Sequence, residues 1–191
     1  MIRPAALALI TAFVAQAALA PQPVHAQPAR SSDASSSLSP NKLSRTDTNA
    51  LKDMAQANIN EVAAGKVALQ NAQSPQVKRF AQMMIDDHTT GLKEVQQVAE
   101  TKGVKLPDGP DVIHKTESKA MSSLHGAEFD RQYMKKAGVS DHRKVHDQLE
   151  KISKNAKDSD VKNLAEKMLP VVDGHLQHAQ SMSRDGGSAK P

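Results

Sequence analysis

Apolar residues return at the 3.6-residue spacing of a buried helix face in four stretches of this chain. Ala50, Met54, Ala57, Glu61, Ala64, Ala68 and Ala72 share one face of the first. Val77, Ala81, Met84, His88, Leu92, Val95 and Ala99 share one face of the second. Val139, His142, Val145, Leu149 and Ile152 mark the third, and Val161, Leu164, Met168, Val171, His175, Ala179 and Met182 the fourth. Thr46 or Asp47 caps the first helix, which runs to about Gln73. Ser74 and Pro75 then supply an N-cap and a first-turn proline for a second helix that stops at Gly103. Pro107, Gly109 and Pro110 interrupt residues 104–112, and a short helix follows from Ile113 to Leu124. His125-Gly126 breaks the chain before a third long helix, Ala127 to Asn155. After a turn at Lys157-Asp158, a fourth runs from Ser159 to Ser183.

Turns this short force the helices they join to lie antiparallel. Two hairpins joined by one long crossover predict an all-α chain: a ferritin-like antiparallel four-helix bundle spanning 46–183, with a short extra helix in the crossover.

The ends read differently. Residues 1–26 have Arg3, an apolar run from Ala5 to Ala20 and small residues at Val24 and Ala26, the layout of a signal peptide cut after Ala26. The run is shorter than a membrane span, and no other segment is apolar enough to be one, so the mature chain is expected to be exported and free of a transmembrane helix. Residues 27–45 are Ser-, Pro- and Ala-rich and predict a disordered linker; the polar, Gly-rich 184–191 predict a disordered tail. The 191 residues include no cysteine, which rules out disulfides and lipid attachment through a thiol, so the core alone must hold the fold. No Trp, one Tyr and three Phe leave few strand formers. The formal charge of +4 comes from Lys and Arg interspersed with Asp and Glu, a solvated mixed surface and not a nucleic-acid-binding one.

The chemistry lies in the stripes. Each long helix carries one ionisable group among apolar neighbours: Glu61, His88, His142 and His175. Glu61 and His88 are 13 and 14 positions from Ser74, and His142 and His175 are 15 and 18 from Lys157. At about 1.5 Å per residue the mismatches within the two hairpins are only ~2 and ~5 Å. The four are therefore expected to converge on one layer. Glu128 sits on the order of 20 Å from that level. His114, His125, His146 and His178 fall near helix ends or at polar positions and read as surface residues. Asp87 and Asp141 precede two of the core histidines and are candidates to orient ligands from behind.

One carboxylate and three imidazoles suit Fe, Zn, Mn or Cu. The competing reading is a metal-free structural or interaction protein of the cell envelope or secretome, in which the same four residues form a register-setting polar layer. A di-iron site would need Glu three positions before its histidines. Ile85, Val139 and Val172 stand there, which disfavours a ferroxidase. No phosphate loop, Gly-x-Ser-x-Gly or cysteine nucleophile supports a hydrolase or nucleotide enzyme. The methionines, scattered at helical spacing, read as core fillers.

Glu61-Val62-Ala63-Ala64-Gly65-Lys66, Phe80 through Thr89, Gly126 through Met134, Ser140-Asp141-His142 and Leu169 through Leu176 together resemble a family of secreted bacterial proteins of unknown function. The resemblance spans about Asn49 to Met182. It implies a ferritin-like bundle and a periplasmic or extracellular location, peripheral to the outer membrane where members carry an outer-membrane label. No alternating strands of the kind a membrane barrel needs are present. Gly138 departs from the family pattern, where a larger apolar residue is expected.

Overall fold

A computed structural model describes residues 42–188. The signal peptide, most of the linker and the last three residues lie outside them. The described residues form an antiparallel bundle with no strand. The helices are α1 (Arg45–Asn71), α2 (Pro75–Thr101), the short α3 (Val112–Met121), α4 (Gly126–Tyr133), α5 (His142–Asn155) and α6 (Ser159–Ser188). α1 packs chiefly on α2 and α5 on α6, which gives the two hairpins, with α3 inside the crossover. Among the described residues no helix is long and apolar enough to cross a membrane.

Several boundaries differ from the sequence pattern. The cap of α1 is Ser44, whose hydroxyl accepts from the Asp47 backbone N–H at 3.0 Å. Asp47 is instead buried, and its carboxylate accepts from the Lys157 N–H at 3.1 Å, tying the start of α1 to the α5–α6 turn. Burial with a specific partner outweighs Asp47's own capping propensity. Asp130 does the same at the other end, accepting from the N–H groups of Gln73 and Ser74 at 3.1 and 2.8 Å. α3 begins earlier than expected because Asp111 caps it through the His114 N–H at 2.9 Å, and it ends at Met121, short of Leu124. α6 continues through residues 184–188, which composition assigns to the tail.

The largest departure is in the third long helix. Met134–Asp141 is π-helical, joining α4 to α5 with wider turns. Gly138 lies inside it, where an added Cβ would come within 3.0 Å of the Ala179 Cβ and 3.1 Å of the Met134 Cε. The glycine thus lets the widened segment lie close against α6.

The core is two apolar clusters. One contains Leu51, Met54, Val95, Leu149, Val161 and Met168; the other contains Ala68, Phe80, Met84, Phe129, Tyr133 and Ala179. On every long helix the inward polar residue falls between its contributions to the two clusters. A polar layer therefore crosses the bundle between two dry blocks.

Candidate metal centre

That layer contains Asn58, Glu61, His88, His142 and His175, all buried. Three buried imidazoles and a carboxylate are costly to desolvate, so each polar atom needs a partner. Following those partners defines the site.

α1 brings in Asn58. Its amide Nδ2 donates to the Met54 carbonyl at 2.7 Å, which orients the side chain so that Oδ1 accepts from His88 Nδ1 at 3.0 Å. In a neutral ring the proton on Nδ1 leaves Nε2 as a lone pair. The π-helical segment positions His142, whose Nδ1 donates to the Ala137 carbonyl five residues back at 2.7 Å. Its Nε2 is likewise left as a lone pair. On α6, His175 donates from Nε2 to the Asp87 carboxylate at 2.8 Å, and its Nδ1 is buried without a partner.

The three rings converge, with His88 Nε2 facing His142 Nε2 at 3.4 Å. The ring centroids are 5.5 Å apart for His88 and His142, 5.3 Å for His88 and His175, and 5.3 Å for His142 and His175. One ligating nitrogen from each falls within 4.8 Å of the others. Three imidazoles, each with its far nitrogen donating to a carboxylate, amide or carbonyl oxygen, are the arrangement that fixes tautomer and ring orientation around a transition metal.

Glu61 stands elsewhere. Its Oε1 lies 3.7 Å from His142 Nδ1, behind that ring and not among the converging nitrogens, and its Oε2 has no partner. Burial raises the Glu61 carboxyl above its usual range, and the His142 ring works against that. Burial also holds His88 well below the usual imidazole value, reinforced by His142 and His175. His175 is lowered by burial, opposed by Asp87. A lowered imidazole is neutral, the state in which it can ligate.

Of the two aspartates expected to orient ligands, Asp87 meets a histidine, and that histidine is His175 across the bundle. Asp141 is taken up by Lys136 at 2.7 Å and Lys144 at 3.2 Å. Adjacent helical positions point about 100° apart, so an Asp beside a His faces a different neighbour. Of the histidines read as surface residues, His125 and His178 are exposed. His114 and His146 are half-buried with carboxylate neighbours: Asp111 beside His114, and Asp147 and Asp173 beside His146.

Asn58 and the Ala137 carbonyl were not visible in the sequence. Asn58 reads as a polar break beside the small-residue stripe, and only its spacing three before Glu61 hints at an inward position. A cleft of about 230 Å³ runs between α2 and α6 to this layer, lined among others by Asn58, Asp87, His88, Gly91 and Met168. It reaches the outer partners of two of the three histidines, of which Asp87 is open to solvent and Asn58 is buried.

The same bundle occurs in proteins of distant sequence. The Cu(I)-bound form of CopM aligns with a TM-score of 0.60 at 15% identity, over 73% of this chain and 96% of that one. Its Cu(II)-bound form aligns at 0.61 and 16% identity, over the same shares. A DUF305 fragment from Deinococcus radiodurans aligns at 0.67 and 12% identity, over 75% of this chain and 99% of that one. At such identities the likeness shows the fold alone. No curated protein sequence matches the chain. A family profile does, over residues 32–182, and the chain belongs to that family: the domain of unknown function DUF4142.

Proposed function

We propose that this protein is an exported helical bundle that binds a transition-metal ion through His88, His142 and His175, for metal handling or stress protection. The observation that carries the reading is the convergence of one ligating nitrogen from each of three buried imidazoles whose rings are each held by an outer hydrogen bond. Such an arrangement suits Zn, Cu, Fe or Mn, and three ligands leave a coordination position open. Copper is favoured among them because CopM, of the same fold, has Cu(I)-, Cu(II)- and Ag-bound forms. Glu61 supplies a buried negative charge behind His142 that offsets an added cation, and Asp87 orients His175. Export to the periplasm or beyond follows from the residue 1–26 pattern and is part of the proposal.

A second reading has its own support. His88 Nε2 lies 3.4 Å from His142 Nε2, so one proton shared between them, balanced by Glu61, makes a metal-free polar layer that fixes helix register. Elemental analysis of the mature, untagged protein exported and purified without chelators separates the two. Near-stoichiometric metal that disappears in His88→Ala supports the first. Protein that carries no metal and takes up none of Cu, Zn, Fe or Mn leaves only the second.

A further inference from the structure

The histidine layer is closed on most sides. Along the bundle axis an apolar cluster lies on either side of it. Laterally it meets the seams between neighbouring helices, and three of these are shut. On the α1–α2 seam, a Cβ added at Gly65 would come within 2.8 Å of Ile85 Cγ1 and 3.0 Å of the Ala81 carbonyl oxygen, so the two helices lie almost backbone to backbone. Between the π-helical segment and α6, a Cβ at Gly138 would meet the Ala179 Cβ at 3.0 Å. The crossover covers the third seam: α3 packs on α1 and α4, and its Glu117 pairs with Lys136 of the π-helical segment at 2.8 Å.

The fourth seam, between α2 and α6, opens into the cleft of about 230 Å³, whose wall includes His88. The sequence of α6 sets this seam apart. Pro170 lies inside the helix. A proline has no N–H to give the carbonyl four residues back, that of Glu166, and its ring pushes against the same turn. α6 is therefore weakest where it walls the cleft. Gly174, one turn further on, has no atom within 4 Å of the place a Cβ would occupy. Gly91 on the facing helix adds no side chain to narrow the passage.

Charge is also arranged along the cleft. Asp87 faces solvent while its Oδ2 accepts from His175 Nε2 at 2.8 Å. Farther along α2, Glu94 pairs with Lys167 of α6 at 2.6 Å, and both line the cleft. The Lys167 side chain is exposed, so the pair is screened and easily opened. Val171 stands exposed on the α6 rim.

Resting on the metal reading above, we propose that a transition-metal cation enters and leaves the histidine layer through the α2–α6 cleft, drawn by Asp87 and Glu94, with the Glu94–Lys167 ion pair as a latch across the passage. The incoming cation replaces the Lys167 ammonium beside Glu94. Lys167 swings into solvent, so the charge beside Glu94 stays balanced. Asp87 then offers a second carboxylate next to the His175 ring, and His88 is the imidazole on the cleft wall. Affinity at equilibrium belongs to the three histidines, whereas the rates of filling and emptying belong to the cleft.

The chain has no cysteine, so one introduced thiol is a unique handle. Val171→Cys places it on the rim, and Ile113→Cys places it on the exposed face of α3, outside the cleft lining, as a control. Each mature, full-length variant is capped with N-ethylmaleimide, which removes the thiol as a ligand and, at residue 171, obstructs the cleft. Cu²⁺ uptake is followed by stopped flow through the emission of Tyr133, the single tyrosine of a chain without Trp, and release by a chelator chase. Capped Val171→Cys should slow uptake and release alike, about ten-fold each, with Kd as in wild type. Capped Ile113→Cys should match wild type in rates and Kd. Lys167→Gln should speed uptake about ten-fold at low salt, where an exposed ammonium repels the ion most. The route is overturned if capped Val171→Cys fills and empties as fast as the control, if the cap changes Kd without slowing both steps, or if Lys167→Gln gains no speed. Wild-type protein that binds no Cu²⁺ at equilibrium overturns the metal reading and the route with it. Stoichiometric binding with unaltered rates overturns the route alone.

Discussion

The Nε2 atoms of His88 and His142 face each other at 3.4 Å, although both rings already give their Nδ1 proton to an oxygen, Asn58 Oδ1 in one case and the Ala137 carbonyl in the other. Two neutral rings so arranged bring lone pair against lone pair. Something positive between them resolves the conflict, either a proton or a metal ion. Burial and the neighbouring imidazoles disfavour protonation at His88, which is what the metal reading proposed above requires.

A ligand that binds only the folded state stabilises it by RT ln(1 + [L]/Kd), about 2.7 kcal/mol at a hundred times Kd. For a domain of this size, Zn²⁺ or Cu²⁺ at that excess should raise Tm by roughly 5–10 °C. Differential scanning calorimetry of chelator-treated protein with and without metal reads the shift. His142→Ala should abolish it, and an equal shift in wild type and variant would remove the histidine layer from consideration.

Gly91 offers a cleaner probe than any ligand substitution. A Cβ at this position would stand 2.8 Å from Asn58 Oδ1, the atom that holds His88. Gly91→Ala adds a good helix former within α2, worth up to about 1 kcal/mol in favour of the helix. The helix gain is set against the buried Asn58–His88 hydrogen bond it disturbs, so the metal-free protein should stay within about 1–2 kcal/mol of wild type, while displacing Asn58 weakens metal binding about 10- to 100-fold. Competition against a chromophoric chelator measures the affinity. Unchanged affinity would mean that Asn58 does not orient His88.

How much of this was legible in the sequence depends on what each residue answers to. The stripes carrying Glu61, His88, His142 and His175 are periodic, and periodicity reports burial directly, so their inward position and the antiparallel hairpins follow from it. What the pattern could not carry is direction within the layer. Glu61 shares the level of the histidines yet lies behind His142, because a side chain's heading depends on rotamer and helix rotation as well as depth. Asp87 and Asp141 occupy matching places in Asp87-His88 and Asp141-His142, but one meets His175 and the other Lys136. Tertiary neighbours decided between them. The π-helical turn leaves a weak mark, Gly138, which reads equally well as a bend. Yet that widened segment sets the Ala137 carbonyl against His142.

Asp87 is the outer partner most open to solvent, with a side chain 45% exposed. Its role is to hold the His175 ring, which is buried, so its removal leaves the ring Nε2 without an acceptor at a cost of about 1–3 kcal/mol. Asp87→Ala should lower metal affinity about ten-fold and lower the Tm of the metal-free protein modestly, and Asp87→Asn, which keeps an acceptor oxygen, should recover most of both losses. Equal affinities in Asp87→Ala and wild type would show that the ring needs no such support.

The metal-free protein should also lose stability as the medium is acidified through about pH 6.5, the unperturbed imidazole value. His88 and His175 are both lowered in the fold, first by burial. Below 6.5 the unfolded chain therefore binds protons that the folded chain does not. Stability falls as the pH is lowered wherever the unfolded state holds more protons, by at most about 1.4 kcal/mol per pH unit for each histidine. Glu61 acts in the opposite sense. Raised by burial, it keeps its proton in the fold above pH 4.5, where the unfolded chain has lost it, so its contribution declines as pH rises from there. Two histidines outweigh one carboxylate between about pH 5 and 6.5. Urea unfolding in the presence of a chelator across that interval should show a falling midpoint in wild type and a flatter one in His88→Leu/His175→Leu. A wild-type midpoint that holds steady or rises on acidification would mean that the layer is already protonated at neutral pH, and would turn the balance toward the shared-proton reading of the His88–His142 pair.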